Sequence, residues 1–317
     1  AREVQEKIRR TIMIKYNLQM FADGENQNQS VRSYTKEFKD FIEAVFGARA
    51  YFRDFFVNDE IEALDGVSNG ATAFSVKTSD IPVVVGEYSK DANTGMGTGT
   101  GKSSRFGNRT EVIYKDIDVP YSWGYTFHEG LDRHTVNNDL DSAVADRLEL
   151  QANAKMSKFD KQHGKFISAN AGKSIAGGVK VTKDNVVDVF NELSKHFTNI
   201  GAVGVKKAKV TPDVYNAIID TGLATTAKGA DINISDNVIT KFKGFIIDEI
   251  PDALFQTKEV IYAYVEHCAK AFAGIETART IESEDFDGLA LQGAGKCGEY
   301  IPKDNAKAVA KVTVTGA

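Results

Sequence analysis

The period of apolar positions changes several times along this chain, and each change marks an element. Phe38, Phe41, Ile42, Val45 and Phe46 recur every three or four residues, which predicts an amphipathic helix from Ser33 to Phe46. A polar linker, "GENQNQS", precedes it. Tyr51–Val57 is aromatic-rich and reads as extended or buried. The period then falls toward two. "ATAFSVKTSDIPVVVGEY" and "RTEVIYKDIDVPYSW" alternate β-branched and aromatic residues against polar ones, as in Val112, Tyr114, Ile117 and Val119. A glycine-rich stretch from Gly86 to Gly107 separates these two strand-like runs. Together they predict a long two-stranded arm with a mobile tip. Limbs of about 20 residues at about 3.3 Å each would reach about 60 Å. An isolated hairpin is marginally stable, so the arm has to lie on something.

The strongest helical signal follows. Val136, Leu140, Val144 and Leu148 step by four, and Ala152, Met156, Phe159 and Phe166 continue the stripe. Asn137 or Asn138 can cap its start, and "SANAG" ends it. About thirty residues make a rod of about 45 Å. Arg147, Lys155, Lys158, Lys161 and Lys165 decorate its second half, where positive charge suits the negative end of the helix dipole. The remainder alternates: a helix over Asn185–Phe197, a strand over Lys206–Thr211, then Thr211 and Pro212 as N-cap and first-turn proline of a helix through Ile219. "TGLATTAKGADINIS" reads as a loop. "GFIIDEIPD", "EVIYAYVEH" and "KAFAGIETA" read as strands, with "GKCGEYIP" and "AKAVAKVTVT" after them. This order predicts an α+β fold around a multi-stranded sheet.

Composition narrows the classes. With 317 residues, 42% apolar and 26% charged, the chain can bury a sizeable core and is not of the disordered type. A net charge of −5 argues against a strongly electrostatic nucleic-acid binder. Cys268 and Cys297 stand apart with no CxxC, which fits two buried thiols rather than a disulfide framework. The apolar runs are short, as in "IPVVV" at Ile81–Val85, far below the roughly 20 residues of a membrane-spanning helix. The first residues, "AREVQEKIRRTIMIKYNLQM", are basic, lack the apolar core of a secretory signal, and leave Met13 open as an initiator.

Candidate chemistry is thin. In "TGMGTGTGKSS" (Thr94–Ser104), Lys102 and Ser103 stand as in a phosphate-binding loop, but Met96 occupies the position of the first required glycine. The stretch also runs on into a strand, whereas a phosphate loop opens a helix. "HEGLDRH" (His128–His134) places its histidines too far apart for two zinc ligands on one helical face. "GKSIAG" (Gly172–Gly177) has Ala176 where a nucleophile elbow needs glycine, and "ESEDFDG" (Glu282–Gly288) lacks the calcium-loop register. The expectation is therefore no cofactor, no metal and no enzyme. A glycine-loop ATPase or phosphotransferase is the competing reading from a different class.

The order of elements, N-terminal arm, helix, hairpin arm, long helix and α+β body, resembles the major capsid protein of tailed bacteriophages, the Hong Kong 97-type fold. "YNLQMFA" (Tyr16–Ala22) resembles the opening of such proteins from phages of Gram-positive hosts. "GVSNGATAFSVKTSDIPVVVGEYSKD" is similar to the rising limb of their extended loop, and "VADRLELQANAKMSKFDKQHGKFI" to their spine helix. "GFIIDEIPDALF" and the stretch from "AYVEHCAKAF" to "PKDNAKAV" are similar to their C-terminal part. The resemblance implies five parts: arm and helix (1–48), extended loop and flanking strands (49–119), peripheral domain with spine helix (120–220), axial domain (221–275) and a returning C-terminal segment (276–317). It implies a homo-oligomeric shell of pentamers and hexamers in the virion, assembled in the host bacterial cytoplasm. The shell would enclose double-stranded DNA without specific binding, with scaffolding protein, portal and maturation factors as partners. No membrane partner is implied. The short front leaves two origins open, a separate scaffolding protein or a segment already removed. An encapsulin-like compartment, or a ring- or tube-forming tail protein, are the neighbouring alternatives. Candidate contacts between copies lie at the loop tip: Lys90, Asp91, Gly95, Gly97, Gly99, Gly101, Lys102, Arg105 and Arg109. Some relatives cross-link a loop lysine to a neighbour's asparagine; Lys90 and Lys102 are in place for this, but no partner motif accompanies them.

Overall fold

The computed structural model describes residues 50–317 apart from 65–71, 80, 82, 84, 89, 91–104, 107–109, 137–139, 222–229, 234–237 and 317. The helix expected over Ser33–Phe46, the N-terminal arm and the proposed Asn137 or Asn138 cap lie outside the described residues. A 3-10 turn, Arg53–Phe55, leads into β1 (Phe56–Leu64). Then come β2 (Thr72–Thr78), β3 (Lys115–Pro120), β4 (Trp123–Asp132) and the long helix α1 (Leu140–Ala169). The body continues with β5 (Lys173–Ala176), α2 (Val186–Asn199), β6 (Lys206–Val210), α3 (Pro212–Asp220), β7 (Ala230–Asn233), β8 (Val238–Phe242) and β9 (Phe245–Glu249). Last are β10 (Glu259–Val265), β11 (Ala269–Glu282), β12 (Gly288–Tyr300), α4 (Lys303–Ala306) and β13 (Val309–Thr313).

Among the described residues the strands form a seven-stranded sheet (β5-β13-β10-β6-β9-β8-β7), a four-stranded sheet (β1-β11-β12-β4) and an isolated pair (β2-β3). The α+β expectation holds. β10 lies inside the larger sheet, between β13 and β6, and its alternation assigns each face a separate core. Ile261 and Ala263 face α2 and α3, whose Val186, Phe190, Leu193, Phe197, Val214 and Ile218 are buried. The spacing of four, three and four between the α2 residues is the amphipathic stripe that the sequence shows. Tyr262 and Tyr264 face the other way, onto Phe52, Phe55 and Ile167 of α1. Each such buried side chain contributes about 1.5–3 kcal/mol over its exposed state.

The long helix, the extended or buried Tyr51–Val57 segment and the α2–β6–α3 order match expectation. Other elements differ. "TGLATTAKGADINIS" contains β7, which pairs antiparallel with β8 and widens the sheet; the ladder partner, not local propensity, makes it a strand. In the hairpin arm, β2 and β3 pair from Thr72↔Pro120 to Thr78↔Lys115, and the described residues beyond, 81, 83, 85–88 and 110–114, carry no strand. β4, with "HEGLDRH" at its end, and the full length of β11 were not legible as strands.

Candidate assembly surfaces

The hairpin arm is fastened at its root. Phe74 of β2 meets Phe272 edge-on at 5.1 Å and Tyr300 at 6.0 Å, and Lys270 Nζ lies 4.9 Å from its ring centre. Tyr121, just past β3, packs on the same Phe272 at 5.6 Å. Gly274 makes room for it, because a Cβ there would stand 2.0 Å from the Tyr121 hydroxyl. Beyond the root the picture reverses. Val83 and Val85 are each 91% exposed, Phe106 85% and Tyr114 67%, with Val112 and Ile113 also exposed. A soluble chain tolerates scattered apolar residues on its surface. A concentrated run of large ones along one projecting element marks an interaction surface.

Of the loop-tip candidates, Lys90 is exposed, and Arg105 sits with its guanidinium 6.0 Å from the Tyr88 ring centre. Tyr88 and Phe106 meet edge-on at 5.2 Å, so the two limbs approach each other at this level. Asp91, Gly95, Gly97, Gly99, Gly101, Lys102 and Arg109 lie outside the described residues.

A second uncovered surface runs along α1. From Phe159 onward it is buried through Phe159, His163 and Ile167, whereas before that point Val144 is buried but Leu148, Leu150 and Met156 are exposed. The stripe that the sequence reads as continuous is therefore covered by the described residues over only part of its length. Beside Met156 and Ala152, between α1 and the start of β1, lies a groove of about 410 Å³. The basic residues of the helix do not serve its dipole: the last turn holds none, and dipole effects fade beyond that turn. Arg147 instead grips Glu129 of β4 with both ends at 2.7 Å, and Lys155 Nζ lies 4.6 Å from the Tyr125 ring centre. The Arg147 hydrogen bonds outweigh burial and hold the Glu129 carboxyl below its usual range.

Buried polar groups tie α1 and the entering chain to the sheets. Trp123 Nε1 donates to Glu299 Oε1 at 2.9 Å, and His163 Nδ1 stands 3.1 Å from the same oxygen. Asp160 accepts the Tyr51 N–H at 3.1 Å, and burial pushes its carboxyl up. Gly164 lets the Leu254 carbonyl approach to 2.4 Å from where a Cβ would stand. Asp54 is the centre of a charge cluster. Its Oδ2 is 2.9 Å from Lys207 Nζ and 3.2 Å from Lys209 Nζ, and Tyr264 donates to its Oδ1 at 2.9 Å. Lys207 also pairs with Glu266 at 2.6 Å, and Lys209 with Asp248 at 2.7 Å. Burial opposes ionisation of Asp54, yet the two lysines and Tyr264 outweigh it and hold its carboxyl below the ordinary value. Sequence reasoning missed this cluster, and a separation of 210 residues between Asp54 and Tyr264 leaves no linear signal for it.

Other sequence candidates are structural. His128 lies in β4 near Gln292, and His134 lies in the turn beyond, 3.6 Å from Asp287. "ESEDFDG" is the turn between β11 and β12, and "GKSIAG" spans β5. Among the described residues no group of His, Cys, Asp and Glu is arranged to hold a metal. Both cysteines are buried and neither is in a disulfide, and burial pushes the Cys268 thiol up to about 12. No helix among the described residues is long and apolar enough to cross a membrane.

No sequence-family model matches the chain, and no curated protein matches its sequence. Its shape has relatives. It is similar to a structure of Mycobacterium phage Che8 (TM-score 0.62, 14% identity, covering 94% of this chain and 99% of that one). The mature capsid of bacteriophage PhiM1 gives a TM-score of 0.63 at 11% identity over 93% of each chain. The capsid of cyanophage P-SCSP1u gives 0.63 at 9% over 94% of each. The class is thereby fixed: the chain has the fold of tailed-phage capsid proteins. At such identities the likeness establishes architecture, not shared residues.

Proposed function

We propose that this chain is the major capsid protein of a tailed phage, a structural protein that assembles copies of itself, as pentamers and hexamers, into an icosahedral shell around double-stranded DNA. The observation that carries this is the hairpin arm. It is rooted on Phe272 but projects Val83, Val85, Phe106 and Tyr114 into water, on a chain whose fold is that of capsid proteins. Covering about five such side chains is worth about 7–15 kcal/mol per arm. A neighbouring copy offers the matching uncovered stripe of Leu148 and Met156. Each copy would make several such contacts, and their multiplicity stabilises a closed shell beyond any single pair.

In this reading residues 49–119 are the extended loop, 120–220 the peripheral domain, 221–275 the axial domain and 276–317 the returning segment, with 1–48 the arm. The loop tip from Lys90 to Arg109 adjusts to different neighbours through its glycines, and its charges pair across copies. Scaffolding protein and portal are the partners, the host cytoplasm the place of assembly, and the chain catalyses nothing. Electron microscopy of the purified protein tests this: closed icosahedral particles, or free pentamers and hexamers, are expected. A monodisperse monomer at high concentration, or open tubes, refutes it.

A further inference from the structure

The spine helix α1 is electrically lopsided. Its carboxylates Asp141, Asp146 and Glu149 all fall in the first ten residues. From there to Ala169 the one acid is Asp160, which is buried and accepts the Tyr51 N–H. Over the same stretch stand Lys155, Lys158, Lys161 and Lys165. Lys155 is engaged over the Tyr125 ring. The other three are exposed, and among the described residues none of them has an ion-pair partner. At about 3.6 residues per turn they share an arc of about 60°, on the side away from Phe159, His163 and Ile167.

Two ordinary explanations for such a row fail, and its spacing is itself unfavourable. The last turn of the helix, where the dipole would draw positive charge, has no basic residue. No carboxylate stands three or four residues away on the exposed face to pair with these lysines. Spacings of three and four between them set like charges side by side, which works against the helix. A row that repels itself and answers nothing among the described residues fits a polyanion outside the chain. From Lys158 to Lys165 the helix rises about 10 Å, a length over which one strand of a duplex carries about three phosphates. The exposed apolar residues of α1 are Leu148, Leu150 and Met156, with no ring to stack a base. Lysine is a compact point charge without the planar fork that reads base edges.

We propose that Lys158, Lys161 and Lys165 form a contact for the phosphate backbone of double-stranded nucleic acid, weak and blind to sequence. The inference rests on the shell reading above and places the row on the face turned toward the enclosed duplex. Few phosphates per copy, on a chain of net charge −5, keep each contact loose enough for the duplex to slide. Repetition over the shell sums them.

The test uses unassembled full-length protein and a fluorescent duplex of random sequence, read by anisotropy across a salt series. Three phosphate contacts predict a slope near −2.7 in log affinity against log salt, or about a 40-fold loss between 50 and 200 mM NaCl. The triple variant Lys158→Gln, Lys161→Gln, Lys165→Gln should keep the wild-type thermal melt and lose at least about tenfold in affinity at 50 mM. Equal binding by wild type and variant, or no binding by wild type at 50 mM, overturns the proposal. So does a variant that holds the duplex normally but closes no shells, which makes the row a contact between copies. Electron microscopy of the same protein under assembling conditions separates the two readings. Shells, pentamers or hexamers without duplex binding sink this proposal alone, and duplex binding without any of these assemblies sinks the shell reading alone.

Discussion

Replacing Val83 and Val85 with serine separates the chain's own stability from what its neighbours supply. Both side chains are 91% exposed, so folding of the single chain gains almost nothing from either. The unassembled double variant should therefore melt within about a degree of wild type, as surface changes do. If a neighbour covers the arm, each valine contributes about 1.5 kcal/mol to the contact at the lower end of the range for full burial. The pair then supplies about 3 kcal/mol per arm, roughly a 100-fold change in pairwise association. The assay is light scattering against protein concentration, with thermal melting of the unassembled form alongside. Wild type should begin to assemble at a concentration about two orders of magnitude below that of the variant. An unchanged assembly threshold would show that the arm's apolar limb is never covered. A large drop in the melting temperature of the unassembled variant would show that the limb folds onto its own chain. Either result refutes the reasoning.

Further outcomes follow from the interior. Asp54→Ala strips Lys207 and Lys209 of a shared, mostly buried counter-charge, and urea unfolding should register a loss of about 3–5 kcal/mol; a loss under about 1 kcal/mol would mean that Glu266 and Asp248 suffice. The carboxyls of Asp54 and Glu259 are held below 3.8 and 4.5, so their contribution is present above those values and disappears as pH falls through the lower folded-state values. Acid unfolding followed by circular dichroism should begin below about pH 4, and Asp54→Ala should flatten that limb. Gly164→Ala would normally favour a helix by about 1 kcal/mol, but here its Cβ meets the Leu254 carbonyl at 2.4 Å. A net destabilisation of about 1–3 kcal/mol is expected, and a stabilised variant would contradict the close approach.

Much of the fold is legible in the linear chain because it is local. The four-residue step through Leu140, Val144 and Leu148 specifies a helix without knowledge of its surroundings, and the structure extends it over Leu140–Ala169. Thr211-Pro212 marks the start of α3 through the fixed backbone of proline, although the threonine hydroxyl makes no capping bond. The alternation in "EVIYAYVEH" makes β10 a strand with two packed faces. The pattern also shows a two-stranded arm too thin to be a core of its own. A limb so thin needs a surface to lie on, and neighbouring copies can supply it.

What the sequence leaves undetermined is everything that depends on partners distant along the chain. β7 becomes a strand because β8 lies beside it, and β2 and β3 stop pairing at Thr78 and Lys115, where alternation alone would have carried them on. Asp54, Tyr264, Lys207 and Lys209 meet only once two sheets and the entering turn are stacked. The apolar stripe of α1 looks uniform in sequence, yet packing buries it near Phe159 and leaves Leu148 and Met156 in water. Periodicity is a property of successive residues, so a sequence carries it whole. Burial and charge pairing are properties of which surfaces come to face each other, and only the folded chain decides that.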